Sequence, residues 1–449
     1  MPEERQNQNR TAIVYFGPSQ QDYLKLVQAE KRSTLIEYIQ RPLQAQLGVK
    51  RHKANCADTS RYTVHELRSR KVQGWLGESR TMEICRVRCC SCRAVFTMLP
   101  SFLMRYRRQD TDCLRKLMEL NLSMGLSLRQ TATIYEWNHA PGRWQPGWVW
   151  ALVQWLGSLM PVSGLLMRLG LSLPEHLLSD EKFATLTGER IYLFLVSQSE
   201  LIWHGAWMNS VNETAFNEAI GQFLTVMETS AQAERRLEPE ASYAPLSVTT
   251  DGWNPCQNAW QNKVPGITIN ECQVHGRKRV DVTLDAYAKE HPELNNTDRH
   301  HLKEQFDQIF AAKSLAAFSQ RIRRVRESCG DEPILLQRLN ILKDKRFLFT
   351  NYLKFDNSFA FSAPLDRSMR FLDEKLQSFG QFRATDSIDP MLNAWAIVNN
   401  LRSFLPDAKK AGQSLAEFFG AKLYGLPWME ALNLCTVGTL AQLIPSLSS

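Results

Sequence analysis

The chain has 449 residues, 44% of them hydrophobic and 22% charged. That length exceeds one ordinary domain and points to several, and the balance excludes a disordered or collagen-like chain. The net charge is +8 and its excess is uneven: between about residues 40 and 120 Lys and Arg outnumber Asp and Glu by roughly two to one, which favours a polyanion such as DNA or RNA as partner. The start, Met1-Pro2-Glu3-Glu4-Arg5, shows no apolar leader. The most apolar stretch, Trp148 to Leu171, is interrupted by Pro161 and Gly164 and carries Gln154, Ser158 and Arg168, so no membrane partner and a cytoplasmic setting are expected. Ten Cys in such a chain read as free thiols or metal ligands rather than disulfides.

In chain order, residues 1–45 read as a polar start and a helical segment with Tyr23, Leu24, Val27 and Leu35 on one stripe. Residues 46–105 hold short β-like runs, Tyr62 to Leu67 and Glu83 to Arg88, among cysteines and basic residues. Residues 106–172 are helical, with Ser127 as an N-cap. From 173 to 290 the pattern turns to strands: Phe183 to Leu186, Ile191 to Val196 and Leu201 to His204, a helix from Thr214, a fourth strand Leu246 to Thr250, a short helix and a fifth strand from Ile267. Residues 291–350 read as a helical insertion with Leu302, Phe306, Ile309 and Phe310 on one stripe. Closing helices occupy 351–405 and a helical tail 406–449. Three strands, helix, strand, helix, strand is the order of a ribonuclease-H-like fold, so the expected class is α/β with a mixed sheet core behind a DNA-binding front.

Two ligand pairs, His52-x3-Cys56 and Cys89-x2-Cys92, flank the β-like sequence. Four such N/S ligands at two knuckles suit one structural Zn²⁺, with Cys85 and Cys90 as spare thiols able to replace one of them. Gly125 to Ala132 resembles the first helix of a helix-turn-helix, with a second helix from Pro146. Arg105, Arg107, Arg108, Arg115, Lys116 and Arg129 nearby suit phosphate contact. Cys272-x2-His275 offers too few ligands for zinc and precedes the basic run Arg277, Lys278 and Arg279.

The sharpest chemistry lies in the acids. Asp180 and Asp251 each close a strand-like run, on strands that are neighbours in such a sheet. A third acid would come from the closing helix, which offers Asp366, Asp373 and Glu374. Asp366 is preferred because Arg367 and Arg370 beside it suit a phosphate. Three carboxylates of this kind can hold two Mg²⁺ or Mn²⁺ ions for phosphodiester chemistry. Lys182, Arg277 and Arg370 are candidates to hold phosphates.

Taken in order, Asp180-Glu181-Lys182, Thr250-Asp251-Gly252, Pro265-Gly266, Cys272-x2-His275-x-Arg277, Asp366-x3-Arg370 and Asn399-Asn400 resemble a DDE/DDD-type bacterial insertion-sequence transposase of the integrase superfamily. Cys89-x2-Cys92 followed by Phe96-Thr97-x2-Pro100-Ser101-Phe102 resembles the zinc-ribbon leader of some of these enzymes. The third acid of the family is often Glu after a Thr-Asn pair; here Asp366 follows Ala363-Pro364-Leu365. The resemblance implies metal-dependent cleavage and strand transfer at the ends of a mobile element. It also implies double-stranded DNA as partner and assembly as a homo-oligomer on that DNA. Two alternatives remain: a domesticated DNA-binding protein without catalysis, and a nuclease of the same fold without strand transfer.

Overall fold

The computed structural model describes residues 12–16, 23, 56, 61–105, 107–139, 145–404, 411–438 and 440. The chain is mixed α/β and divides into two compact units, Met1–Leu171 with Asn400–Ser449, and Ser172–Asn399.

The first unit is built on four strands, β1 (Ala12–Phe16), β2 (Tyr62–Gln73), β3 (Ser79–Cys89) and β4 (Val95–Pro100), in the order β1-β4-β3-β2. β1 runs parallel to β4, and the other pairs are antiparallel. The expected helical start over residues 1–45 is therefore corrected at Ala12–Phe16. Ala-Ile-Val-Tyr-Phe is a run of β-preferring residues, and the ladder to β4 satisfies its backbone. Tyr23 is helical and buried, whereas Leu24, Val27 and Leu35 lie outside the described residues.

Four helices follow: α1 (Thr111–Met118), which runs into a π-helical turn at Glu119–Ser123, α2 (Leu128–Trp137), α3 (Pro146–Ser158) and α4 (Val162–Arg168). Asp110 caps α1 by accepting from the Cys113 N–H. Ser127 and Gln130 close a capping box on α2, which satisfies two backbone donors at once. Among the described residues no single helix is long and apolar enough to cross a membrane; α3 and α4 pass that test only as a pair bent by 58°. In the segment expected to be a helical tail, the described helices are short, Leu415–Phe418 and Trp428–Cys435. The second of these belongs to the first unit for a polar reason: Asn433 donates to the Ser101 and Leu103 carbonyls at 2.8 and 2.9 Å, and the Trp428 indole N–H to Glu119 at 2.7 Å.

The second unit carries five strands, β5 (His176–Leu186), β6 (Glu189–Gln198), β7 (Leu201–Met208), β8 (Ser247–Thr250) and β9 (Thr268–Glu271). Their order is β7-β6-β5-β8-β9, with β5, β6 and β7 antiparallel and β8 and β9 parallel to β5. Thr187 and Gly188 turn β5 into β6 with φ of 48° and 90°, the two positive values that a tight hairpin requires. α5 (Glu213–Ala233) and α6 (Asn254–Lys263) connect β7 to β8 and β8 to β9. Trp203, Phe194, Phe216, Phe223 and Trp260 fill the core between sheet and helices. β5 starts earlier than Phe183, so Asp180 lies within the strand rather than ahead of it.

After β9 come α7 (Gln273–Glu290), α8 (Asn296–Phe310), α9 (Leu315–Cys329), α10 (Pro333–Asp344) and α11 (Arg346–Thr350), then α12 (Ala363–Phe379) and α13 (Ile388–Leu401). Helices α8 to α11 form the helical insertion, around a core to which α7 contributes Val280, Leu284 and Tyr287. Phe306, Ile309, Phe310, Phe318, Leu339 and Phe349 are buried in it, and Leu302 packs against it. Gly276 lets α7 approach this core, because a Cβ there would lie 2.8 Å from the rings of both Phe310 and Phe349. Gly276→Ala should destabilise the protein by about 1–3 kcal/mol through overpacking, read as a lower midpoint in urea unfolding.

Candidate functional site

The parallel pairing of β5 and β8 sets His176 against Ser247, Leu177 against Val248 and Leu178 against Thr249. Continued two residues further, the same offset sets Asp180 against Asp251, just past the end of β8. Asp180 Oδ1 accepts the Glu181 N–H at 2.8 Å, and Asp251 Oδ1 accepts the Trp253 N–H at 2.9 Å. Burial pushes the Asp180 carboxyl well above the usual carboxylate range. Repulsion from Glu181, Asp251 and Asp366 adds to it, and the Glu181 N–H opposes it. Asp251 and Asp366 thus both lie near enough for their charges to act on Asp180.

Of the three acids considered on the closing helix, Asp366 in the first turn of α12 is the one that acts on Asp180. Asp373 pairs with Lys182 at 2.6 Å, and Glu374 is exposed. A polar seam carries the chain from β8 and β9 to that first turn. Ser358 Oγ lies 3.0 Å from Ser247 Oγ and 3.1 Å from Asn270 Nδ2. Thr249 Oγ1 donates to the Phe359 carbonyl at 2.6 Å, and the Gln273 N–H to the Ala360 carbonyl at 3.0 Å. The Cys272 sulfur accepts from both the Ser362 N–H and its hydroxyl at 3.2 Å, and the Cys272 N–H donates to the Thr250 carbonyl at 2.8 Å. Ser362 stands at the N-cap position of α12, so Cys272 touches the segments that carry Asp251 and Asp366, each at one remove. Burial alone would raise the Cys272 thiol, but hydrogen bonds from His275 and Ser362 outweigh it and hold the thiol low. The same Cys272 contact raises the His275 imidazole, with burial opposing and with Asp180 and Asp251 adding attraction.

The basic candidates divide. Lys278 and Arg370 are exposed, as are Arg105, Arg108 and Arg129 in the first unit. Arg107 is half-buried with its guanidinium 4.6 Å from the Trp155 ring centre. Arg277 is engaged by the insertion, 3.7 Å from Asp307 and 5.6 Å from the Phe310 ring centre, and Lys182 is engaged by Asp373. Arg115 and Lys116 pair with Asp112 on their own helix.

In the first unit Cys56, Cys89 and Cys92 bring their sulfurs within 4.8 Å of one another, a group that could hold a metal ion. Burial, and then the Cys56 and Cys92 sulfurs, push the Cys89 thiol up against the pull of backbone N–H groups. His52, expected as the fourth ligand, lies outside the described residues. Cys85 is buried and Cys90 exposed.

Two acids of the second unit were missed as site residues by reading the sequence. Glu181 stands beside Asp180, and strand alternation alone would turn it to the other face. Glu271 ends β9 with its side chain wholly buried between Arg279 and Lys345. The signal for Glu271 was an acid closing a strand, the same one that singled out Asp251.

A family described as a domain of unknown function (DUF6431) matches residues 54–137, which include Cys56, Cys89 and Cys92. No curated protein matches the chain.

Burial, then repulsion from Asp251, pushes the Glu181 carboxyl up to about 7, against its own N–H and His275. A raised acid favours folding in its protonated form. That contribution is fully present below the ordinary 4.5 and is lost as pH rises through about 7. Glu181→Gln should remove this loss, so that between pH 4.5 and 7 its Tm falls less than that of the wild type when scanned in EDTA.

Proposed function

We propose that residues 172–399 form a ribonuclease-H-like catalytic core and that the chain is a DDE/DDD-type insertion-sequence transposase, cutting and joining DNA at the ends of a mobile element. The observation that carries this reading is the convergence of Asp180, Asp251 and Asp366 from β5, the end of β8 and the start of α12. The strand order β7-β6-β5-β8-β9, with three antiparallel strands and two parallel ones, supports it.

The acidic centre fits hard divalent cations. It offers carboxylate oxygens, and half-buried Asp180 is held in the protonated direction first by desolvation and then by neighbours of like charge. A cation of Mg²⁺ or Mn²⁺ type relieves that repulsion, and Asp180, Asp251 and Asp366 are the residues that would hold it. When bound, such ions supply neutralisation of a scissile phosphate and activation of a water or a DNA 3′-hydroxyl. The residues of the chain do the rest. The Trp253 N–H holds the Asp251 carboxylate, and the seam through Cys272 and Ser362 holds the first turn of α12. Exposed Arg370, one turn beyond Asp366, and exposed Lys278 are free to meet backbone phosphates. In the first unit, exposed Arg105, Arg108 and Arg129 suit the same contact on double-stranded DNA. Cys56, Cys89 and Cys92 fit three of the four ligands of a structural Zn²⁺, with His52 proposed as the fourth. Assembly as a homo-oligomer on DNA belongs to the same proposal.

Asp180→Asn, Asp251→Asn and Asp366→Asn should each lower Mg²⁺-dependent nicking of an element-end duplex by at least about 100-fold while DNA binding persists. Glu374→Gln should cut at the wild-type rate. Normal cutting by Asp366→Asn would remove α12 from the centre, and joining of a pre-cut 3′ end to plasmid distinguishes a transposase from a nuclease.

Atomic emission on the purified full chain should find about one zinc per molecule. Cys89→Ser and Cys92→Ser should lose it. A metal-free chain with unchanged Tm would exclude a structural zinc.

A further inference from the structure

Glu271 is buried at the end of β9, and each of its carboxylate oxygens has a different cation. Lys345 Nζ lies 2.9 Å from Oε2, and Arg279 donates to Oε1 from Nη1. The second terminal nitrogen of Arg279, Nη2, donates to the backbone carbonyl of Asp251. Lys345 comes from the insertion, between α10 and α11, whereas Glu271 and Arg279 belong to the strand and helix that follow Asp251. Gly252, with φ of 93°, leaves no room for a side chain here, because a Cβ would collide with the Glu271 carboxyl. The turn that bears Asp251 is thus pressed against Glu271 and tied to it through Arg279.

We propose that Lys345 is a positioning residue for Asp251, acting through Glu271 and Arg279, so that docking of the helical insertion sets the geometry of the acidic centre. This rests on the reading of that centre as a metal-dependent phosphodiester site. The reasoning follows from guanidinium geometry. Arginine meets a carboxylate best as a fork, with two N–H groups on two oxygens. Lys345 occupies Oε2, so Arg279 commits one nitrogen to Glu271 and turns the other to the Asp251 carbonyl. Without Lys345, Oε2 is a buried anionic oxygen with no donor. Arg279 then closes on both oxygens, and Asp251 loses its tether. The Glu271–Arg279 pair stays balanced in charge, so the loss of Lys345 leaves no buried carboxylate alone. The insertion thereby becomes a device that holds or releases Asp251 according to whether its Lys345 is seated.

The test uses the full chain with four variants: Lys345→Met, Lys345→Arg, Arg279→Lys and the double variant Lys345→Met/Arg279→Lys. The first readout needs no metal and no substrate: hydrogen exchange at the Gly252 and Trp253 amides. The second is the Mg²⁺ concentration for half-maximal cleavage of an end duplex. Lys345→Met should speed exchange at both amides and raise the Mg²⁺ requirement by about 10-fold, with the rate at saturating Mg²⁺ nearly kept. Lys345→Arg restores a cation on Oε2 and should rescue both. Arg279→Lys has no second nitrogen for Asp251 and should copy Lys345→Met. The double variant should be no worse than either single one, because both remove the same tether. Unchanged exchange in Lys345→Met, or additive effects in the double variant, would overturn the proposal. A wild-type chain that never cuts with Mg²⁺ would instead sink the reading of the centre, and the exchange data would still decide whether Lys345 holds Asp251.

Discussion

The second unit is organised around an electrostatic conflict: half-buried Asp180 meets both desolvation and the like charges of Asp251 and Asp366, which come from separate segments. Like charges at such a site repel, and burial removes the solvent that would screen them. Left to itself the chain would separate them. Two features of the fold prevent this. The parallel ladder of β5 and β8 at His176–Leu178 fixes the offset that carries Asp180 and Asp251 to the same level, and main-chain pairing there is not reached by side-chain repulsion. The start of α12 is held by the seam that runs from Ser358 to Ser362. An arrangement that costs stability and is held from two sides is the kind found where a site must be ready before its ligand arrives.

The seam is polar where a core would ordinarily be apolar. Ser247, Thr249 and Asn270 are buried on β8 and β9, and each makes a hydrogen bond with a neighbour or with the 358–362 segment. Directional bonds of this kind choose one register for the incoming chain, which an apolar contact would not. Asn270 Oδ1 is buried with no partner among the described residues, so the network carries one unmet acceptor. On the other side of β9, Glu271 and its two cations do comparable work for the Asp251 turn. The segments that carry Asp251 and Asp366 therefore hang on β9, the edge strand nearest the insertion.

Much of this was readable from the sequence because strand ends and helix starts leave short-range marks. The runs before Asp180 and Asp251, the Ser127 cap and the apolar stripe through Phe306 and Phe310 all follow from local periodicity and capping. What escaped is non-local. Ala12–Phe16, five β-preferring residues, is fixed as a strand by β4, which pairs with it from some eighty residues further along the chain. Arg277 reads as one more basic residue in a run, yet Asp307 on α8 engages it. Asp373 reads as a rival third acid until Lys182 of β5 is found against it. Glu271 depends on Lys345, 74 positions away, and no spacing rule links them.

On the proposed reading the two units answer to different physical variables. Exposed arginines in the first would bind DNA by displacing its counterions, so their contribution weakens steeply with salt. The acids of the second contribute nothing to affinity for a polyanion and repel it until a divalent cation intervenes. Binding is then governed by ionic strength and cutting by the metal, and the two can be separated in one protein. The insertion adds a further level. It does not touch the carboxylates, yet its Lys345 completes the ion-pair group that tethers the Asp251 turn, so anything that displaces it would alter cutting while leaving the basic residues of the first unit as they are. A chain built this way can stay bound to DNA through the first unit with its chemistry held back, while Arg370 and Lys278 of the second unit would meet the phosphates brought to the acids.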